Sequence, residues 1–324
     1  MSEGFAARLP APQGNGQIRL WLKSSAYARR VLLGESVDPW SGAAQYLAFF
    51  SQAHALVKPD VAVLELGDLY DSFAAAHPDW SEAVNKRRKP ATALRRLLEP
   101  EAPRQLLGEV VEAVLSHLRG QTPLVLSMPS PRRWIHHANS LTGSEAMELS
   151  ADDVEDGAMY IADLLRSVSA HPLAGVLLEE PRQAADFHAD DLSHYQSMVN
   201  VIRHYRWSLA LRLPDTATAS AEQLSHFDAI SSGSPEFTSV SASVGRDISA
   251  ALSDGATAPA LAAGQFYFAQ IEPGLRPESV LERLSALRGA RVGARTGRSH
   301  TGQPAHRISG LGQDHAAQPL DVAA

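Results

Sequence analysis

With 324 residues, 44% of them apolar and 20% charged, the chain has an ordinary globular composition and could hold either two average domains or one large α/β barrel. A formal net charge of −7 offers no global attraction for phosphate backbones, and the basic cluster Lys86-Arg87-Arg88-Lys89 sits among acidic neighbours, so nucleic-acid binding is not expected. The sequence contains no cysteine, which excludes disulfides, thiolate nucleophiles and cysteine-ligated zinc or iron–sulfur centres.

No apolar run approaches the roughly 20 residues that span a bilayer. Residues 1–15 lack the apolar core of a signal peptide, so the expectation is a cytoplasmic protein with no membrane partner. Residues 1–16 are rich in Pro and Gly and read as a flexible leader. Ile18-Arg-Leu-Trp-Leu-Lys23 alternates with period 2, as a first strand would. Residues 41–56 follow a helical pattern, and Lys58-Pro59-Asp60 leads directly into a second strand over 61–66, which ends in Glu65, Asp68 and Asp71.

A long polar and helical stretch spans 72–120, with an amphipathic face formed by Leu107, Val110, Val111, Val114 and Leu115. Residues 122–128 read as a third strand, broken by Pro129-Ser-Pro131 and followed by Arg132, Arg133, His136 and His137. Ser150 with Asp152 and Asp153 forms the N-terminal signature of a helix running to about residue 170. That helix delivers the chain to Leu173-Ala-Gly-Val-Leu-Leu-Glu-Glu-Pro-Arg182. This run is apolar on both faces and stops abruptly in two carboxylates, which is how a parallel barrel brings acids to its active-site mouth.

Further on, the pattern predicts a helix over 190–205, a strand over 208–213 and a short helix over 220–226. A strand over 227–232, a weak helix over 244–252, a strand over 264–271 and a helix over 277–287 come next. Residues 291–295 would be a poor eighth strand, and 296–324 a disordered tail. The expected fold is a single (β/α)8 TIM-type barrel over residues 17–295 with a degenerate last strand, an open sheet being the alternative. No G-x-G-x-x-G or G-x-x-x-x-G-K-[ST] motif follows any strand, so nucleotide binding has no support.

The order of strand endings resembles the barrel superfamily that contains uroporphyrinogen decarboxylase and the C-terminal domain of cobalamin-independent methionine synthase. Lys58-Pro-Asp-Val-Ala-Val-Leu-Glu65, with Asp71 and Phe73, resembles the synthase's second-strand segment. Pro123-Leu-Val-Leu-Ser-Met-Pro-Ser-Pro131 is similar to a strand that ends in Gly-Pro in both families, and Glu179-Glu-Pro181 resembles the synthase's Asp-Glu-Pro. Gly264-Gln-Phe-Tyr-Phe-Ala-Gln-Ile-Glu272, followed by Pro277-Glu-Ser-Val-Leu-Glu-Arg283, is similar to its seventh strand and following helix. The resemblance covers roughly residues 18–295 and implies a barrel enzyme. Where the synthase places its zinc ligands, this chain has Leu209-Ala-Leu-Arg-Leu213, then Ser231 and Ser232, then Arg291-Val-Gly-Ala-Arg295, so zinc-activated methyl transfer is not expected.

The candidate catalytic residues are Glu180, Glu179, His136 and Asp215, of which at most one of the two adjacent glutamates should face the mouth. Candidate substrate-binding residues are Arg132, Arg133, Arg212, Glu65, Asp68 and Glu272; the arginines suit a carboxylate or phosphate. An arginine inside an apolar strand is costly unless it is paired or faces the barrel interior. Each group also has a bland reading, as a solvated loop carboxylate or an exposed helix start. His136 and His137 point about 100° apart on a helix and make a poor chelating pair. The functional expectation is a metal-independent enzyme without a cofactor, acting on a small anionic molecule by decarboxylase or lyase chemistry. The alternatives are a methyl or alkyl transferase with a folate-type donor and a non-catalytic ligand-binding barrel. Oligomeric state is not legible.

Overall fold

The computed structural model describes residues 20–34, 37–82, 89–144, 147–184, 186–234, 237, 241–262 and 264–289, all within one compact unit, Met1–Val292. Eight strands are present: β1 (Leu20–Lys23), β2 (Ala62–Glu65), β3 (Leu124–Pro129), β4 (Gly175–Glu179), β5 (Ser208–Arg212), β6 (Ala229–Ser232), β7 (Ser243–Asp247) and β8 (Phe266–Gln270). Every paired strand runs parallel to its neighbour, in the order β1-β8-β7-β6-β5-β4-β3-β2. Alternating with helices and nearly closed, the sheet is a (β/α)8 barrel of TIM type.

The seam between β1 and β2 is bridged at both ends. At the strand starts the Asp60 N–H donates to the Leu20 carbonyl at 3.0 Å, and the Leu20 N–H donates to Asp60 Oδ2 at 2.7 Å. At the strand ends Lys23 and Glu65 form an ion pair at 3.0 Å.

The helices are α1 (Ser25–Leu32), α2 (Ala43–Val57), α3 (Leu66–Ala76), α4 (Asp79–Glu82), α5 (Ala91–Leu98), α6 (Glu101–Leu118), α7 (Pro131–Leu141), α8 (Ala151–Arg166), α9 (Gln196–His204), α10 (Ser249–Asp254) and α11 (Pro277–Gly289). Helix α8 starts where the sequence expects it. Ser150 Oγ accepts from the Asp153 N–H, and the Asp153 carboxylate accepts from the Ser150 N–H, which satisfies two donors that the first turn would otherwise orphan.

Strand alternation divides the apolar core in two. Leu22, Leu64, Leu126, Leu178 and Leu211 point outward against the helices, whereas Trp21, Val61, Val125, Leu177, Ala210, Ala229, Phe266 and Phe268 fill the barrel interior as a packed plug. Truncating a member of the plug, as in Leu177→Ala, leaves a void that neighbours on all sides cannot close, at a cost of about 2–5 kcal/mol.

Three expectations need correction. Residues 244–252 are not one helix, because Ser243–Asp247 is β7 and the helix begins at Ser249. Only Val244 is apolar in this strand, since its inward position is Gly245. A Cβ there would come within 2.6 Å of the Phe266 ring, which fills the space instead. The strand read as the seventh is therefore β8, and the barrel reaches eight strands without residues 291–295, which lie outside the described residues. Finally, residues 220–226 form turns rather than a helix. The leader 1–16 and the tail 296–324 also lie outside the described residues.

Candidate active site at the C-terminal mouth

Each strand carries one inward polar side chain at or near its C-terminal end: Lys23, Glu65, Ser127, Glu179, Arg212, Ser231, Asp247 and Gln270. The plug residues one step below share their parity, as Leu177 does with Glu179 and Ala210 with Arg212. A polar layer therefore rests on an apolar floor at the end of the barrel where this fold places its chemistry.

Seven of these side chains form one network, while Ser231 Oγ is buried with no hydrogen-bond partner among the described residues. Lys23 Nζ donates to both oxygens of Glu179, at 2.7 and 2.8 Å, and pairs with Glu65. Ser127 Oγ also donates to Glu179. Arg212 donates to Asp247 at 2.9 Å and to Gln270 and Ser249, and lies 3.7 Å from the second oxygen of Glu179. Its guanidinium stands 5.1 Å from the centroid of Phe268, the ring below it. Burial pulls the Lys23 amine down, but Glu179 and Glu65 outweigh it and hold the group above its ordinary range, so it stays a cation.

Beside the network, Asp68 in the first turn of α3 is pushed up to about 7, by burial first and then by the negative charge of Glu65, against the pull of Lys23. Tyr46 is held well above its ordinary value by burial and by Asp68 and Glu65.

The expected residues divide between this layer and places outside it. Glu179, Arg212 and Glu65 belong to the interior network, with Asp68 next to it. Glu180 points the other way. It is 3% exposed, accepts from Ser130 Oγ at 2.5 Å and from Arg133 at 2.7 Å, and is raised by burial against the pull of those partners. Arg133 also grips Asp186, and Arg132 on the same helix α7 is bidentate to Asp191 at 2.5 and 2.9 Å. His136 is lowered by burial and by Arg132 and Arg133. Glu180, Ser130, Arg133 and Asp186 form a second network behind β4, with the Arg132–Asp191 pair alongside; among the described residues no side-chain bond joins it to Arg212, whose carbonyl accepts from the Glu180 N–H at 3.0 Å. Asp215 pairs with Arg182 at the rim. Glu272 follows β8 and is exposed.

Solved structures with a similar backbone include a methyltransferase from Methanosarcina mazei, at a TM-score of 0.51 and 12% identity over 85% of this chain and 94% of that one. A dihydrodipicolinate synthase from Agrobacterium tumefaciens str. C58 aligns at a TM-score of 0.32 and 16% identity, over 57% of this chain and 59% of that chain. No family model matches the chain, and no curated protein matches it. The likeness to the methyltransferase speaks for the barrel fold alone.

Sequence reasoning did not single out Lys23, Ser127, Asp247, Gln270 or Arg182. A signal existed for Lys23, which shares strand parity with Trp21 at the end of an alternating run. Asp247 was hidden because β7 reads as a helix. Among the described residues, no three His, Asp or Glu side chains gather as a metal-binding group, and no helix is long and apolar enough to cross a membrane. A cavity of about 510 Å³ lies at the opposite end of the barrel, lined by Leu20, Trp21, Val61, Leu118, Leu124, Phe266 and neighbours. Among the described residues its one ionisable lining residue is Asp60, which already accepts from Leu20, so the described lining holds no acid–base pair.

Proposed function

We propose that this chain is a barrel enzyme acting on a small organic acid by acid–base chemistry, of the decarboxylase or lyase type, at the C-terminal mouth. The observation that carries this reading is the polar layer, with one side chain from every strand, set on an apolar floor. Such a layer presents fixed charges of both signs in a low-dielectric site, where they act strongly on charge that develops during reaction.

Lys23, held as a cation, suits opposition to the negative charge left on carbon when a carboxylate departs. Its raised pKa disfavours a role as an amine nucleophile, which must shed its proton. Glu179, which accepts from Lys23 and Ser127, suits taking a proton from the substrate, as a lyase step requires. Asp68, near neutrality, suits exchange of protons with solvent at physiological pH. This chemistry needs neither metal nor cofactor, and it agrees with the decarboxylase branch of the superfamily that the strand endings resemble.

The test is a thermal-shift screen against small carboxylates, phenolic acids, porphyrin precursors and folates, because a ligand that binds only the folded state must raise the melting temperature. Each stabilising acid is then followed for carbon dioxide release or bond cleavage. Turnover of an acid that is lost in Glu179→Gln supports the reading, and full turnover in that variant contradicts it. A second reading, methyl or alkyl transfer, draws on the name of the methyltransferase whose fold is similar. Saturable binding of a pterin with no binding of simple acids would favour it.

A further inference from the structure

The arginines near the mouth differ in how fully they are committed to protein partners. Arg212 is buried and donates to Asp247, Gln270 and Ser249. Arg132 makes two bonds to Asp191, and Arg133 is shared between Glu180 and Asp186. Arg182 makes one, from Nη2 to Asp215 Oδ2 at 2.6 Å. Among the described residues its Nε is buried without a partner, and so is Asp215 Oδ1. A guanidinium and a carboxylate usually close two parallel bonds through these same atoms, and here only one has formed.

We propose that Arg182 receives the anionic group of the substrate, exchanging Asp215 for it; this rests on the organic-acid reading above and names the contact that would anchor the acid. Position supports the exchange. Arg182 lies just past the C-terminal end of β4 and Asp215 just past that of β5, and the Asp215 N–H donates to the Arg182 carbonyl at 2.9 Å, so the two loops are fixed to each other. The Asp215 carboxylate rests on Gly233, just past β6, where any Cβ would overlap Oδ1. Asp247 of β7 and Glu272 after β8 act electrostatically on the same guanidinium. The pair thus sits on the rim of the mouth.

Energetics favour this arginine over the others. Side-chain exposures of 28% for Arg182 and 30% for Asp215 mean that parting them returns Asp215 to water rather than stranding a buried charge. A substrate carboxylate can then close both bonds of the fork, satisfying the Nε donor that is orphaned in the free protein. Freeing Arg212 would instead strand Asp247, whose side chain is fully buried.

The two partners make opposite predictions, which a merely structural pair would not. The full chain is titrated with acetate, succinate and benzoate by calorimetry and thermal shift, each acid against its neutral amide. At least one carboxylate is expected to bind while its amide does not. Arg182→Gln should weaken that acid tenfold or more, whereas Asp215→Asn, which removes the competing carboxylate, should tighten it several-fold. Equal binding by the parent chain and Arg182→Gln overturns the assignment and leaves the organic-acid reading standing. Weakening by Asp215→Asn also overturns it, and that variant decides the matter if Arg182→Gln does not fold. If no carboxylate binds the parent chain in preference to its amide, the organic-acid reading and the assignment fall together.

Discussion

Strand β4 separates two charge networks built from the same residue types. On its inner side Glu179 joins Lys23, Arg212, Glu65 and Asp247 above the plug, contributed by strands across the barrel. On its outer side Glu180 joins Arg133, Ser130 and Asp186, with Arg132 and Asp191 alongside, all from helix α7 and its N-cap or from the segment that follows β4. The inner network ties distant strands together and faces the mouth. The outer one tethers the β4 connection to a neighbouring helix. Two adjacent glutamates therefore answer to different constraints because strand side chains alternate in direction.

Arg212→Ala should have the largest effect on stability. Among the described residues it would leave the buried Asp247 carboxylate bonded to Ser249 alone. Breaking a buried pair by removing one member costs about 3–5 kcal/mol, a fall on the order of 10 °C in melting temperature. A loss under about 1 kcal/mol in denaturant titration would mean that the inner network is far more hydrated than its burial indicates.

In the outer network Glu180→Ala should cost less, about 1–3 kcal/mol, because Ser130 loses its acceptor while Arg133 keeps Asp186. Chemical denaturation of the two variants side by side gives the ranking. A larger loss for Glu180→Ala than for Arg212→Ala would invert it.

Asp68 sharpens the contrast through pH. Its folded-state pKa of about 7 lies above its ordinary value, so between the two the native state holds the extra proton. That contribution to stability is fully present below the ordinary carboxylate range and is lost as pH rises through about 7. Asp68→Asn should therefore flatten the melting-temperature profile between acid and neutral pH and raise stability at pH 8, as a calorimetric pH series would record. An unchanged slope would remove Asp68 from the proton-exchange role.

The smallest effect belongs to the surface pair of Asp71 and His137, at 2.5 Å and well exposed. Its hydrogen bond to Asp71 raises the His137 pKa, so the pairing is fully present below the ordinary histidine range and fades as pH rises through the raised value. Asp71→Ala should shift stability by only about 0.2–1 kcal/mol at pH 5, and less at pH 8.

Much of the barrel was legible because parallel strands buried on both faces give unbroken apolar runs, as in Leu173–Leu178, and because helix-start chemistry such as that at Ser150 is local. Strand β7 was not, since its interior position is a glycine filled by a neighbour's ring, a relation between distant residues that no window reveals. The acid doublet after β4 was visible, but its two directions were not. An apolar run offers no polar face to fix parity, and only the packing of Leu177 into the plug decides that Glu179 turns inward. The arginines after β3 read as an anion site because their partners, Asp186 and Asp191, lie far along the chain. The alternating run of β1 placed Lys23, but its charge partners Glu65 and Glu179 lie on other strands, and Asp247 was hidden by the helical reading of 244–252.

The most direct test of this account compares Glu179→Gln with Glu180→Gln, each a change of one atom in adjacent residues, by turnover per folded molecule on whichever acid the screen identifies. Chemistry at the inner network predicts a loss on the order of 10²- to 10⁴-fold for Glu179→Gln and turnover within a few-fold of the parent for Glu180→Gln. The reverse ranking, or equal losses in both, would contradict the placement of the reaction inside the barrel mouth.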